Sequence, residues 1–144
     1  MKVVIAVDGS HVAHRAVRAF LQLAMELAVP PEIRLIAVVD YADLPETLAK
    51  TPPDAPDLLA EQAGTALAMA QELCAHLGTH AQGIVLRGHV VDEIIRFAQE
   101  FGADLIVLGT HGRKGFRRAV LGSACEGVIR RATVPVLAVR HEAQ

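Results

Sequence analysis

Tryptophan is absent, and the whole chain carries one tyrosine and four phenylalanines. The core must therefore be aliphatic, and there is little from which to build the aromatic platforms that stack single-stranded nucleic acids. Cysteine is scarce too. Cys74 and Cys125 lie far apart and form no CxxC, so both read as reduced thiols of a cytosolic protein. No apolar run approaches the roughly 20 residues of a membrane span. The opening MKVVIAVDGS is too short for a signal-peptide core and shows no cleavage site. Excess charge is also missing: 14 basic and 16 acidic residues leave a net charge of −2, which argues against a polyanion-binding surface. A soluble, cytoplasmic protein without nucleic-acid or membrane partners is expected.

What is present is aliphatic and regular. The 144 residues are 52 % hydrophobic and 21 % charged, which excludes a disordered chain and fits a single domain over 1–144. Lys2–Val7 is β-branched and nearly continuous, as in a strand buried on both faces. Asp8-Gly9-Ser10 ends it, and Ser10 is placed to cap a helix whose apolar residues run from Ala13 through Phe20 to Leu27. Pro30-Pro31 is the expected stop. Glu32–Val39, His80–Arg87, Asp104–Leu108 and Val134–Val139 read as further strands. Helical patterns fill the gaps: Leu59 to Leu77, Val91 to Ala98 closed by Gly102, and a last helix opening near Gly122-Ser123. Residues 40–57 hold four prolines and several acids and read as a long loop.

Strict alternation of short strands and amphipathic helices predicts an α/β fold: a doubly wound, five-stranded parallel sheet of order 3-2-1-4-5 with helices on both faces. Pro135 cannot donate to a ladder and suits an edge strand. The apolar Val134–Val139 on such an edge predicts pairing with a second copy. In this order the chain reverses beside strand 1, and ligands bind beyond the carboxyl ends of the strands there. The segments at that point are Asp8–Ser10 and Gly109–Ser123.

Five of the eleven glycines fall between Gly109 and Gly127. Glycine permits positive φ and lets a ligand approach backbone. Gly122-Ser123 opens a helix, where free N–H groups and the dipole attract anions. The helix cap and the turns would also account for these residues one by one; their joint placement at the reversal favours a phosphate site. A branched side chain at 122 should exclude a phosphate while costing the helix only about 0.5 kcal/mol. Neither a P-loop nor a dinucleotide fingerprint occurs. The pattern that does occur is G-x2-G-x9-G-[ST], met by Gly109, Gly112, Gly122 and Ser123.

That pattern resembles the ATP-binding signature of the universal stress proteins. The blocks VVIAVDGS, ADLIVLGTHGRKG, LGSACEGVIRRA and VPVLAVR extend the resemblance over the whole chain. It implies the adenine nucleotide alpha hydrolase-like fold, a homodimer and bound ATP. By the same resemblance Ala6, Val7, Asp8 and Ser10 lie against the nucleoside, and Val38 offers backbone groups to the adenine. Gly109 and His111 sit near the ribose and phosphates. Gly112, Gly122, Ser123 and the N–H groups of Ala124 and Cys125 hold the phosphates. Cys125 departs from the hydroxyl residue often found at its position, so only its backbone is carried over.

Several readings stay open on the sequence. Asp8 either caps the helix after strand 1 or meets the phosphates through Mg²⁺. Arg113, Lys114, Arg117 and Arg118 either fold over a triphosphate or form a solvated face. The pairs His11/His14 and His76/His80 have helical spacing but no third ligand in sequence, so a metal site is not expected. The thiol of Cys125 is either activated by its helix or buried and inert. Only His111 and Asp8 are near enough to serve as a general base, and neither has a visible orienting partner. The resemblance therefore points to a regulatory module with slow hydrolysis or none, acting on an unidentified protein partner. The competing readings are a nucleotide hydrolase or transferase using the same pocket, and an interaction protein that binds no nucleotide.

Overall fold

The structure, a computed structural model, describes residues 1–43, 57–112 and 121–140. Its elements alternate as the pattern requires: β1 (Lys2–Ala6), α1 (His11–Ala24), β2 (Glu32–Val39), a 3₁₀ turn at Tyr41–Asp43, α2 (Leu58–His76), β3 (Gln82–Arg87), α3 (Val90–Phe101), β4 (Leu105–Gly109), α4 (Ser123–Arg131) and β5 (Val136–Val139). The five strands form one sheet of order β3-β2-β1-β4-β5, and every pair is parallel.

Alternation along each strand sends residues to two aliphatic layers. Val3, Ile5, Leu35, Ala37 and Val107 pack with Ala16, Val17 and Phe20 of α1 and with Leu67 and Ala70 of α2. Val4, Ile36 and Ile106 pack on the other face with Ile94 and Ile95 of α3 and with Cys125 and Val128 of α4. Val3, Val4 and Ile5 are wholly buried, as expected of a central strand covered on both sides. Each such side chain contributes roughly 1.5–3 kcal/mol by burial.

The helix boundaries follow their caps. The Ser10 hydroxyl accepts from the Ala13 N–H at 3.1 Å, and Asp57 does the same for Ala60 at 3.0 Å. Gly102 closes α3 in the left-handed region, φ 70°, where a side chain would be strained.

The first helix is shorter than its apolar periodicity. It ends at Ala24, because Leu23, Met25 and Leu27 meet no core and stand exposed. The next N–H groups, of Glu26 and Leu27, bond three residues back rather than four, the tightening common at helix ends. Four strands also differ from their expected limits. β1 ends at Ala6 rather than Val7. β5 starts at Val136 rather than Val134, after a proline that supplies only its carbonyl, to the Ile106 N–H at 3.0 Å. β3 starts at Gln82 because its ladder with β2 starts there, opposite Arg34. β4 runs on to Gly109, which pairs with Val139. β5 is an edge strand, with all four residues half-buried. Among the described residues, no helix is long and apolar enough to cross a membrane.

Candidate functional site

The site is built where β1 stops. The Val7 N–H still donates to the Ile36 carbonyl at 2.8 Å, and then the chain turns away through Gly9, whose φ is 81°. A strand's polar groups alternate in direction, so Val38 aims its own toward β1 as Ile36 does. Beyond that level β1 has left. The Val38 carbonyl therefore opens into the gap, beside the half-buried Ala6 on the same sheet face. The gap is thus floored by β1 and edged by backbone of β2.

Asp8 and Gly112 meet at this gap. Asp8 Oδ1 accepts from the Ser10 N–H at 2.9 Å, so the carboxylate braces the turn into α1. A Cβ built on Gly112 would stand 2.8 Å from Asp8 Oδ2, which places the carboxylate directly against the Gly112 backbone. Gly122 returns to the same loop: its N–H donates to the Thr110 carbonyl at 2.6 Å. Gly122 is also the N-cap of α4, φ −71°, and has no side chain with which to accept from the first turn. The N–H groups of Ser123, Ala124 and Cys125 thus open α4 without the side-chain cap that Ser10 and Asp57 provide elsewhere.

Two sequence expectations need correction here. First, positive φ plays no part at Gly109, Gly112 or Gly122; among the described residues the positive-φ glycines are Gly9, Gly78, Gly88 and Gly102. The three loop glycines are required by close packing. A Cβ on Gly109 would lie 2.5 Å from Val12 Cγ1, and one on Gly122 would lie 2.9 Å from the Thr110 carbonyl oxygen. Second, a branched residue at 122 therefore strains the loop itself, so Gly122→Val would not separate ligand loss from fold damage.

The remaining candidates divide clearly. Cys125 is buried at 2 % exposure in the layer beneath α4, and burial pushes its thiol up, so the inert reading stands and only its backbone N–H reaches the helix opening. Ser123 is exposed, and Ala124 and His111 are half-buried. His11 and His14 line an open groove on α1 with Arg15 and Arg18, cationic neighbours that disfavour a metal ion. Among the described residues, no three His, Cys, Asp or Glu side chains gather into a metal-binding group. Arg113, Lys114, Arg117 and Arg118 lie outside the described residues, as does most of the 40–57 loop. On that loop's flanks, the Tyr41 hydroxyl donates to the Asp57 carboxylate and holds it below the usual carboxylate range. Arg87 Nε donates to the same hydroxyl at 3.3 Å.

One residue of the site escaped the sequence reading. Thr110 is the single buried polar side chain among the described residues, at 2 % exposure. Its only signal was a polar residue directly after a wholly apolar strand, flanked by two residues that drew the attention.

Comparison with known proteins identifies the family and its fold. The sequence model of the Universal stress protein family matches residues 1–140. The chain belongs to the universal stress protein family. A universal stress protein of Methanocaldococcus jannaschii is 35 % identical over 140 residues, covering 96 % of this chain and 81 % of the relative. Among solved structures, the universal stress protein from Archaeoglobus fulgidus in complex with dAMP is 25 % identical, with a TM-score of 0.70, covering 96 % of this chain and 97 % of that one. A universal stress protein in complex with cAMP is also 25 % identical, with a TM-score of 0.67, covering 97 % of this chain and 96 % of that one. The doubly wound sheet is thus shared with this family, and the glycine pattern falls at the gap beside β1.

Proposed function

We propose that this universal stress protein is a one-domain, cytoplasmic ATP-binding regulatory module. The observation that carries the reading is the uncapped start of α4 at Gly122, folded back on Thr110 and His111, the residues that lead into the Gly112 packed on Asp8. That arrangement suits phosphates at the N–H groups of Ser123, Ala124 and Cys125. The adenine and ribose then fall toward Val38, Ala6, Val7 and Asp8, with Ser10, Gly109, His111 and Gly112 around the chain of phosphates. The relatives solved with dAMP and cAMP support an adenine nucleotide as the ligand.

Asp8 fits a Mg²⁺ ion as a single oxygen ligand. The ion would take its other ligands from phosphate and water, as Mg²⁺ commonly does, and would offset the repulsion between carboxylate and phosphate. Hydrolysis is proposed to be slow or absent. Bound nucleotide then acts by ordering the site and changing the surface offered to a protein partner.

ATP at a hundred times its dissociation constant should stabilise the chain by ~2.7 kcal/mol, read as a raised melting temperature, with ADP raising it less. Omitting Mg²⁺ should weaken the ATP effect, and phosphate release should stay near background. If neither nucleotide shifts the melting curve at millimolar concentration, the interaction-protein reading replaces this one.

We further propose a homodimer through Val134–Val139. Edge strand β5 leaves Val136, Leu137, Ala138 and Val139 half-buried, and an exposed ladder edge pairs readily with another chain. Sedimentation at tens of micromolar should show the dimer; monomer alone would reject it.

A further inference from the structure

The geometry points to Thr110 as a positioning residue that locks His111 in one tautomer, with the ring proton on Nε2. Thr110 spends each of its polar groups on a different neighbour. Its N–H donates to the Val139 carbonyl of β5 at 2.9 Å, and its carbonyl accepts from the Gly122 N–H at 2.6 Å. The hydroxyl lies 3.0 Å from His111 Nδ1. The backbone bonds thus pin the residue between the edge strand and the start of α4, and the side chain is left to govern the imidazole.

The direction of that last bond follows from burial. Thr110 is 2 % exposed, and Nδ1 of His111 is the partner of its hydroxyl. A buried hydroxyl proton needs an acceptor. If Nδ1 carried the ring proton and donated it, the threonine proton would be stranded. If Thr110 donates, both groups are satisfied, and neutral His111 must carry its proton on Nε2. The ring is then held in one tautomer and one orientation without having to be charged. Under the nucleotide reading, on which this second step rests, that fixed ring lies next to Gly112 at the phosphate end of the site, and it explains a buried threonine behind a half-buried histidine.

The test uses the full chain and the variants Thr110→Val and Thr110→Ser. Valine keeps the branched shape and both backbone bonds and removes only the hydroxyl; serine keeps the hydroxyl. Long-range proton–nitrogen spectra at about pH 8, above the ordinary imidazole pKa, report the tautomer without any ligand. The parent and Thr110→Ser should show His111 protonated on Nε2, and Thr110→Val should show a mixture. Titration with ATP should find Thr110→Val weaker by roughly tenfold, the scale of one lost hydrogen bond, with Thr110→Ser close to the parent. An Nδ1–H tautomer in the parent, or an unchanged spectrum in Thr110→Val, overturns the inference. So does equal ATP affinity of Thr110→Val and a parent that binds. A parent that binds no nucleotide yet shows the tautomer and its loss upholds the lock and defeats the proposed function instead.

Discussion

Ser123→Asp should lose ATP binding by roughly a hundredfold or more while melting no lower than the parent. The two effects have opposite signs because they act on the same group of N–H donors. A carboxylate in the first turn of α4 accepts from the uncapped backbone and complements the positive end of the dipole, worth roughly 0.3–1 kcal/mol to the helix. The same carboxylate occupies the place proposed for a phosphate and repels it, and like charges held together cost several kcal/mol. At about 1.4 kcal/mol per decade, that is the predicted loss. Ser123 is exposed, so the substitution disturbs no packing, and Ser123→Asn supplies a neutral control of similar size that should bind far better than the aspartate. Calorimetric titration beside thermal melting reads both effects. A folded Ser123→Asp that binds ATP like the parent would remove the phosphates from α4.

The second large effect falls on the fold. Gly109→Ala should destabilise the protein by roughly 1–3 kcal/mol, the ordinary range for overpacking, although alanine suits the backbone at 109. The added methyl would meet Val12 Cγ1 at 2.5 Å, with Val12 Cβ at 3.1 Å and its backbone carbon at 3.2 Å behind. Helix α1 lies so close on the end of β4 that only a hydrogen fits. Val12→Ala removes the nearest of those atoms. The double variant should therefore be less destabilised than the sum of the two singles, by about 1 kcal/mol for residues in direct contact. Chemical denaturation of the four proteins measures the coupling. Strict additivity would show that Gly109 is not held by Val12.

These contacts explain which parts of the site could be read from residue order. The glycine spacing marked the loop, but a string of letters does not distinguish a glycine that makes room for a ligand from one that makes room for the protein. Gly109 faces Val12, nearly a hundred positions away, and Gly112 faces Asp8 across a similar separation. The Ser10 cap, by contrast, was legible because its partner, Ala13, is three residues on. Thr110 was passed over because its importance lies in burial and in bonds to Val139, Gly122 and His111, and two of those three partners are distant in sequence.

By itself the sequence determined the class of fold, the strand order, and the Ser10 and Gly102 caps. All of these follow from local periodicity, from capping chemistry and from the handedness of β–α–β crossovers, which act over a few residues or apply to every chain of this pattern. Only the tertiary structure decided where α1 stops, why three glycines are glycine, that the Cys125 thiol is spent in the core, and that Thr110 stands behind His111. Each of those depends on which atoms of remote segments come within van der Waals or hydrogen-bonding reach, a distance that exists only once the sheet has closed and the helices have settled on it.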